Sequence, residues 1–441
     1  MSPDNIVQAV EASEATSNTG LVIAIIGLLI FAAHLFTEIF SRKRIPDVLL
    51  LMVIGLIIGP IFGWVKPQDL GSVASVFTTI TLVIILFESG TQLNFNTLLN
   101  SIKGTMRLTT INFFITMIIV AGLCMLIEKF DILTSLMLGA ILGGTSSAVV
   151  IPMVGQLRIS QKGGTILILE SAFSDVLCIV FAWAFLEALQ LGALNLGQTL
   201  NNIISSFILA SIIGLIAAIF WSYILDKVRH VKNSILTTPA FVFIVYGLNE
   251  WLGFSGAISA LAFGIGMANI DYFYKHGFLV RRIFKSQPAM LNDTEKQLFS
   301  EVVFLLKTFF FIYIGISIKL EQFWPILIGF IISVVLFALR ILIVKLSFYK
   351  EDNPLPIEDK VFMSGIVPKG LAAAVLATIP MQMGLPEGEI IQNIVFAVIL
   401  FSIIFTSILV PVLDKDNAIS RFYKNRFKAK EETIQELLDN N

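Results

Sequence analysis

The sequence predicts an all-α protein that crosses a lipid bilayer many times. Of its 441 residues, 56% are hydrophobic and only 14% are charged, and the mean hydropathy is +0.88. A soluble globular domain carries about 25% charged residues, and no water-soluble fold would bury this much apolar surface. Apolar runs of about 20 residues, the length of helix that spans a bilayer, recur along the whole chain.

About thirteen such runs divide the sequence. They lie near residues 20–40, 46–64, 71–89, 107–128, 132–154, 164–189, 200–226, 237–253, 255–273, 298–318, 323–348, 360–382 and 389–413. Residues 1–19 are polar and acidic and contain no lysine or arginine, so we expect a short extracytoplasmic tail rather than a signal peptide. Residues 414–441 are expected to form a cytoplasmic tail that is first basic and then acidic.

The charges of the loops support this division. Lysine and arginine prefer the cytoplasmic side of a membrane. When the loop after the first run is placed inside, 23 basic residues fall on the cytoplasmic side and three, Lys66, Lys129 and Lys319, fall outside. A missed or invented span would destroy this asymmetry. We therefore predict about thirteen transmembrane helices, with the N-terminus outside and the C-terminus inside.

Several classes of protein are disfavoured. Both cysteines, Cys124 and Cys178, lie inside apolar runs, which argues against a disulfide framework. The three histidines have no zinc spacing, and 30 basic against 31 acidic residues give no net attraction to nucleic acid. An intramembrane protease would need a second mid-span aspartate beside Asp175 or a His-Glu-x-x-His motif. We therefore expect no enzymatic activity and no cofactor.

Some ionisable residues lie deep inside the predicted spans, where they are costly and usually mark an ion or proton pathway. Apolar residues surround Lys307 and Lys369 on both sides. Arg340 is expected to have a structural partner, and Lys345 lies near a helix end, where its ammonium group can reach the interface. Among the acidic residues, Glu88, Glu170 and Asp175 lie well inside spans, and Glu301 lies one or two turns into its span. Glu38 and Glu187 are close enough to span ends to reach water.

Two spans contain helix-breaking residues at matching positions. The fifth run holds GGTSSA at 143–148, and the twelfth holds GIVPKG at 365–370. In a membrane, backbone groups freed by such a break are tolerated where they line a polar cavity. Both runs are the fifth of a six-span unit if a first repeat (about 20–189), a linker span (200–226) and a second repeat (about 237–413) follow one another. The second unit enters from the opposite side, which predicts inverted repeats and a site at two crossed, discontinuous helices.

The sequence ESAFSD at 170–175 lies next to the first break. Residues four apart share one face of a helix, so Ser171 and Asp175 point the same way, and Glu170 and Ser174 form the adjacent stripe. A carboxylate beside hydroxyls and freed carbonyls offers hard oxygen ligands. This chemistry suits an alkali cation or a proton rather than a soft metal.

The sequence resembles the monovalent cation/proton antiporter superfamily, and most closely its prokaryotic sodium/proton exchanger branch. The resemblance covers nearly all the predicted spans. The matching motifs are IPD at 45–47 with Gly55 to Pro60, LFESG at 86–90, GTSSA at 144–148, ESAFSD at 170–175, LKTFFF at 306–311 with Gly315, and PKGLAAA at 368–374.

The resemblance implies a core-plus-dimerisation architecture, usually a homodimer, with elevator-like alternating access. It implies that Asp175 binds the alkali cation and the proton in turn. Further ligands implied at the same site are Ser174, Thr145, Ser146 and Glu88. Glu170 is expected to pair with Lys369 as a structural tie.

This chain departs from the branch at several of these positions. It has Ser174 before Asp175, where Asn-Asp or Asp-Asp is usual, and Ser146 where an aspartate is common. Lys307 and Lys369 stand where arginine is frequent. Because a buried lysine releases its proton more readily than arginine, a proton-carrying role for Lys307 stays open, as do the ion and the stoichiometry.

We therefore expect a multi-pass protein of the cell (inner) membrane that exchanges sodium for protons, one for one, in pH homeostasis. A potassium/proton exchanger or an electrogenic antiporter of the same fold is the alternative, with lithium as a further cation. A transporter of organic anions on the same architecture is a more distant one, because Asp175 is a poor neighbour for an anion. A potassium-efflux relative is disfavoured, because no Gly-rich nucleotide motif follows the last predicted span.

Overall fold

The computed structural model describes residues 46–67, 71–93, 95–191, 196–230, 236–277, 288–348 and 355–428, together with Arg281 and six positions between 27 and 35. The predicted N-terminal tail, most of the first predicted span and the chain after 428 lie outside these residues. Within them, every regular element is helical, as predicted.

The helices follow one another along the chain with short connections. They are α1 (Asp47–Leu56, continued by a π-helical turn, Ile57–Ile61), α2 (Gly71–Thr91), α3 (Phe95–Ile127), α4 (Ile132–Ile141), α5 (Ser147–Gln156), α6 (Gln161–Leu191), α7 (Leu196–Arg229), α8 (Thr237–Trp251), α9 (Gly256–Ala268), α10 (Ile270–His276), α11 (Asp293–Ser317), α12 (Phe323–Ser347), α13 (Ile357–Gly365), α14 (Leu371–Gln382), α15 (Gly388–Leu413) and α16 (Ala418–Lys428). Each predicted span from the second to the thirteenth overlaps one or two of these helices.

Six of the described helices are long and apolar enough to cross a membrane on their own: α3, α6, α7, α11, α12 and α15. A bent pair, α9 with α10, adds a further candidate, with an angle of 66° between its two parts. Several shorter apolar helices, among them α4, α5 and α14, accompany them. The all-helical membrane class is therefore confirmed, and the full number of thirteen spans stays a prediction.

The helices pack as two bodies. One body, which we call the panel, contains α1, α2, α7, α8, α9 and α11; the other, the core bundle, contains α3 to α6 and α12 to α15. The bodies meet where α6 packs on α7, α14 on α2, and α15 on α1 and α11. The start of the predicted C-terminal tail also belongs to the core bundle, because α16 packs on α13 and α15 and buries Phe427.

Glycines allow the helices of the panel to approach closely. An ideal Cβ atom on Gly55 of α1 would lie 2.9 Å from the Cα atom of Gly315 of α11 and would overlap the carbonyl oxygen of Ile312. Gly90 of α2 and Gly264 of α9 make the same kind of contact. Without a hydrophobic driving force between helices in lipid, this backbone-to-backbone packing is a main source of association.

The two interruptions predicted from the sequence are present. The first separates α4 from α5, between Ile141 and Ser147, and the second separates α13 from α14, between Gly365 and Leu371. The backbone of residues 366–370 is extended or irregular, and its groups are freed from helical hydrogen bonds. Both breaks lie in the core bundle.

The glycine contact between α1 and α11 can be tested by adding a single methyl group. Gly55→Ala should lower the free energy of unfolding by about 1–3 kcal/mol, because the backbone of α11 must move away. Gly122→Ala is the matched control: its Cβ would meet no other heavy atom within 4 Å. The melting temperatures of both variants can be measured in detergent by monitoring tryptophan fluorescence during heating. Equal melting temperatures for the two variants would contradict the tight contact.

Candidate ion-binding site

The two helix breaks cross each other inside the core bundle. The backbone N–H of Ser146 donates a hydrogen bond to the carbonyl oxygen of Pro368 at 2.7 Å. Gly370 lies directly against the side chain of Ser146 and leaves no room for a Cβ atom of its own. A glycine is therefore required where the unwound segments touch.

Lys369 connects the second break to the first. Its side chain is completely buried, and its ammonium group donates to the carbonyl oxygen of Gly144 at 2.7 Å. The backbone N–H of Lys369 donates to the Ser402 hydroxyl at 2.9 Å. A positive charge from one interrupted helix thus satisfies a carbonyl freed in the other, which the membrane interior would otherwise leave unpaired.

Ser174 connects α6 to the first break. Its hydroxyl oxygen accepts a hydrogen bond from the backbone N–H of Thr145 at 3.0 Å and donates to the carbonyl oxygen of Ser171, also at 3.0 Å. The Thr145 hydroxyl lies 3.5 Å from the same oxygen. Because α6 is held against the break in this way, the residue after Ser174 points into the crossing.

That residue is Asp175, whose side chain is 9% exposed. Its Oδ1 atom lies 3.6 Å from the position of an ideal Cβ on Gly144, and the Cys178 Sγ atom lies 2.8 Å from that position. In the described part of the chain, no hydrogen bond or ion pair satisfies the Asp175 carboxylate. Burying a carboxylate without a partner costs desolvation free energy. We therefore expect this group to bind a proton or a cation.

Glu170 and Arg340 form a buried ion pair. Two parallel hydrogen bonds of 2.6 Å join the guanidinium to the carboxylate, and the Arg340 Nε atom donates to the carbonyl oxygen of Met363 at 3.0 Å. The structural partner expected for Arg340 is therefore confirmed. The expected pair between Glu170 and Lys369 is wrong, because the planar arginine fork matches a carboxylate at two points and the lysine is engaged by Gly144.

Lys307 and Glu88 both belong to the panel, away from the crossing. The Lys307 ammonium group pairs with the Asp47 carboxylate at 2.9 Å, and both side chains are mostly buried. Glu88 is half-buried and accepts a hydrogen bond from the Gln92 side chain at 2.7 Å. Neither residue contacts Asp175 among the interactions of the described residues, whereas Thr145, Ser146, Ser174, Glu170 and Lys369 do gather around the crossing.

Sequence reasoning missed one polar contact of the core bundle. Asp359, at the start of α13, accepts a hydrogen bond from the backbone N–H of Ser160 at 3.0 Å and another from the Ser160 hydroxyl. It thereby ties the beginning of the second interrupted span to the loop between α5 and α6. Asp359 stands next to a predicted cytoplasmic loop, where acidic residues are common, so no signal in the sequence distinguishes it.

A buried carboxylate without a partner among the described residues lies at the crossing of two interrupted helices, beside hydroxyls and freed backbone groups. Discontinuous helices that cross at a polar site are typical of secondary active transporters. The core bundle holds this site, and the panel packs beside it. The fold and the site therefore define a membrane transport protein.

Comparison with known proteins identifies the family. The family model described as "Sodium/hydrogen exchanger, transmembrane" matches residues 21–415. The chain therefore belongs to the sodium/hydrogen exchanger family, as the motifs predicted. A solved structure of the sodium proton antiporter MjNhaP1 from Methanocaldococcus jannaschii has the same fold, with a TM-score of 0.74 and 22% identity, over 90% of this chain and 98% of that one.

Two relatives have names that specify different ions. The Na(+)/H(+) antiporter 1 of M. jannaschii is 25% identical over 321 residues, which are 68% of this chain and 70% of that protein. The K(+)/H(+) antiporter NhaP2 of Shewanella sp. strain ANA-3 is 24% identical over 390 residues, which are 86% of this chain and 64% of that protein. The match thus spans less than two thirds of the length of the second relative.

The corrected ion pairing makes a prediction for stability. Arg340→Met should lower the free energy of unfolding by about 3–5 kcal/mol, because it leaves the Glu170 carboxylate buried without its partner. Lys369→Met leaves that pair intact and removes one hydrogen bond to a carbonyl, which costs about 1–3 kcal/mol. Melting temperatures of the purified variants in detergent compare the two losses.

Asp416→Asn is the control for that experiment, because it removes an ion pair with Arg421 that is fully exposed to solvent. Its melting temperature should equal that of the unmodified protein. A larger loss of stability in Lys369→Met than in Arg340→Met would contradict the Glu170–Arg340 pair and would favour the Glu170–Lys369 pair that the sequence predicted.

Proposed function

We propose that this chain exchanges a monovalent alkali cation, with sodium as the first choice, for a proton through Asp175. Membership of the sodium/hydrogen exchanger family supports cation/proton antiport. The observation that carries the assignment is the Asp175 carboxylate, buried at the crossing with no described partner. A single carboxylate can hold a proton or a cation but not both, so the two ions compete for one site.

The single carboxylate at the crossing favours a one-for-one exchange. Asp175, Glu170, Arg340 and Lys369 are all at least nine-tenths buried, and their two negative and two positive charges cancel when all four are ionised. Binding of either a proton or an alkali cation at Asp175 adds the same single positive charge. The loaded core bundle therefore carries equal charge in both halves of the cycle, and the exchange is electroneutral.

The ligands of the cation are proposed from the oxygens around the crossing. Ser146 is the best placed hydroxyl, because its Oγ atom is buried and has no hydrogen-bond partner in the described residues. The Thr145 carbonyl and hydroxyl and the Ser174 hydroxyl lie beside it. Glu88 would join this set from the panel as the two bodies shift against each other.

Alternating access is proposed to occur by movement of the core bundle against the panel. The two crossed breaks, the separate packing of the two bodies and the distribution of basic residues support inverted repeats, thirteen spans and a cytoplasmic C-terminus. A homodimer in the cell membrane is part of the same proposal.

A second candidate function is potassium/proton exchange, favoured by the similarity to the NhaP2 relative. The Lys307–Asp47 pair speaks against an electrogenic cycle with Lys307 as proton carrier, because the Lys307 ammonium group is already engaged by the Asp47 carboxylate at 2.9 Å. Transport of organic anions is the least favoured of the candidate functions, because an anion would lie beside the negatively charged Asp175 carboxylate.

The role of Asp175 can be tested in proteoliposomes with a preset pH gradient. Asp175→Asn removes the carboxylate that is proposed to bind the proton and the cation, while keeping the shape of the side chain. We expect no cation-driven collapse of the gradient from this variant, and a melting temperature at least as high as that of the unmodified protein, because an unpaired buried charge is lost. Asp416→Asn serves as the active control. Full activity in Asp175→Asn would end the assignment.

Competition between the ions predicts the pH dependence. When the proton occupies Asp175 most of the time, each unit of pH decrease should raise the apparent KM for the cation by up to about tenfold, by linkage at a shared site. The maximal rate at saturating cation should be much less affected. Titrations with sodium, potassium and lithium at several pH values give these constants and identify the ion.

The same proteoliposomes test the charge balance. With a potassium ionophore that clamps the membrane potential, the rate of an electroneutral exchange should not change. A rate that rises under the clamp would mean that net charge moves, and a KM independent of pH would mean that proton and cation occupy different sites.

A further inference from the structure

Two connected cavities lie at the boundary between the panel and the core bundle. The larger has a volume of about 570 Å³ and opens where α6 and α8 end. The smaller, of about 300 Å³, continues it between α2, α6, α8 and α14. Four residues line both cavities: Ile179, Trp183, Glu250 and Ser255. We call the two cavities together the vestibule.

The vestibule leads towards the proposed ion site. Ile179 follows Asp175 by four residues on α6, which is about one helical turn, or 5.4 Å along the axis. The wall on the side of the core bundle consists of α6 and α14, and α14 begins directly after the Lys369 break. The lining residue Ile179 is therefore about one turn of α6 away from Asp175.

Glu250 stands at the junction of the two cavities. It is the penultimate residue of α8, and its Oε1 atom accepts a hydrogen bond from the backbone N–H of Gly256 at 2.8 Å. Glu187 adds a second carboxylate in the larger cavity, and no lysine or arginine is among the described residues that line either one. The remaining polar lining consists of hydroxyl and amide groups, including Tyr246, Thr378 and Gln382.

We propose that Glu250 attracts a hydrated alkali cation into the vestibule and holds it on the way to Asp175. This proposal rests on the proposed cation/proton exchange. A carboxylate in a cleft with apolar, low-dielectric walls focuses the field and raises the local concentration of cations. Glu250 belongs to the panel, whereas Trp183 and Ile179 opposite it belong to the core bundle, so the carboxylate stays in place while the core bundle moves.

The role differs from that of the ligands at the crossing. Glu250 keeps one carboxylate oxygen on the Gly256 backbone, and the vestibule leaves room for water around the cation. The interaction is therefore electrostatic attraction with incomplete dehydration. Such a residue affects how often the site is filled, which sets the KM for the cation, and not the maximal rate of exchange.

Glu250→Gln tests the charge alone, because a glutamine side-chain oxygen can still accept the hydrogen bond from Gly256. We expect the KM for the cation to rise about threefold or more at low ionic strength, with an unchanged maximal rate and an unchanged melting temperature. The difference should shrink when an impermeant salt screens the charge. Glu250→Asp, which keeps the charge, should restore most of the affinity.

The effect should also be one-sided. In the predicted orientation the vestibule opens to the outside, so the KM should change in right-side-out vesicles and stay the same in everted ones. Glu321→Gln is the matched control: it removes an exposed carboxylate from the loop between α11 and α12, on the same predicted face and outside the vestibule.

Three results would overturn the proposal. An unchanged KM in Glu250→Gln would mean that the carboxylate does not attract the ion. A lower melting temperature with an unchanged KM would mean that Glu250 has only a structural role, connecting α8 to α9. Equal effects of Glu321→Gln would indicate general surface charge. Absence of cation-driven exchange by the unmodified protein would instead defeat the proposed function, which separates the two failures.

Discussion

The membrane interior offers no water to a backbone group that has lost its helical partner, and the core bundle is organised around this constraint. Both interrupted helices free carbonyl and N–H groups where the two breaks cross. The structure satisfies them mutually: Ser146 donates to Pro368, Thr145 to Ser174, and Lys369 to Gly144. None of the three interactions would exist without the other break or without α6 behind it. The crossing is therefore a cooperative unit, and each segment is held by groups from outside itself.

The buried charges extend that unit through the core bundle. Arg340 of α12 binds Glu170 of α6 and, through its Nε atom, the carbonyl oxygen of Met363 in α13. One guanidinium group thus joins α6 to two consecutive helices that lie far from it in the sequence. Lys369 lies close enough to this pair to interact with it electrostatically. A bundle tied together in this way can change its position as one body while the geometry around Asp175 stays the same.

The parts of the fold that depend on local chemistry could be predicted from the sequence. A glycine pair followed by Thr-Ser-Ser and a Pro-Lys-Gly segment in mid-span both disfavour a continuous helix, and the two breaks lie at the residues predicted. Asp175 stands out as a carboxylate deep inside an apolar run, whereas the role proposed for Ser174 comes from the resemblance to the antiporter superfamily. The partner of Glu170 could not be predicted in this way, because Arg340 and Lys369 are both buried bases and only the packing of α12 and the position of the Gly144 carbonyl decide between them. The pairing of Lys307 with Asp47 escaped prediction for the same reason.

The vestibule could not be predicted from the sequence. Its lining comes from helices of both bodies, and Glu250 near the end of α8 resembles any acidic residue close to a membrane surface. Only the arrangement of α2, α6, α8 and α14 in space places that carboxylate in the wall of the cavity next to the Asp175 segment of α6. Residues that bind an ion tightly leave a local pattern in the sequence, whereas residues that guide it depend on the shape of the space between distant elements.

Among the described residues, no group pairs with the Asp175 carboxylate, and in the proposed exchange this has a consequence for the fidelity of coupling. Had Lys369 paired directly with this carboxylate instead of with the Gly144 carbonyl, an unloaded core bundle could change sides at little cost. Each such empty movement would be a slip that dissipates the ion gradient. Without such a partner, moving the ionised carboxylate past the apolar boundary with the panel costs its full desolvation free energy. Only a proton or a cation removes that cost. The same feature that makes the site able to bind either ion therefore suppresses futile return of the empty carrier.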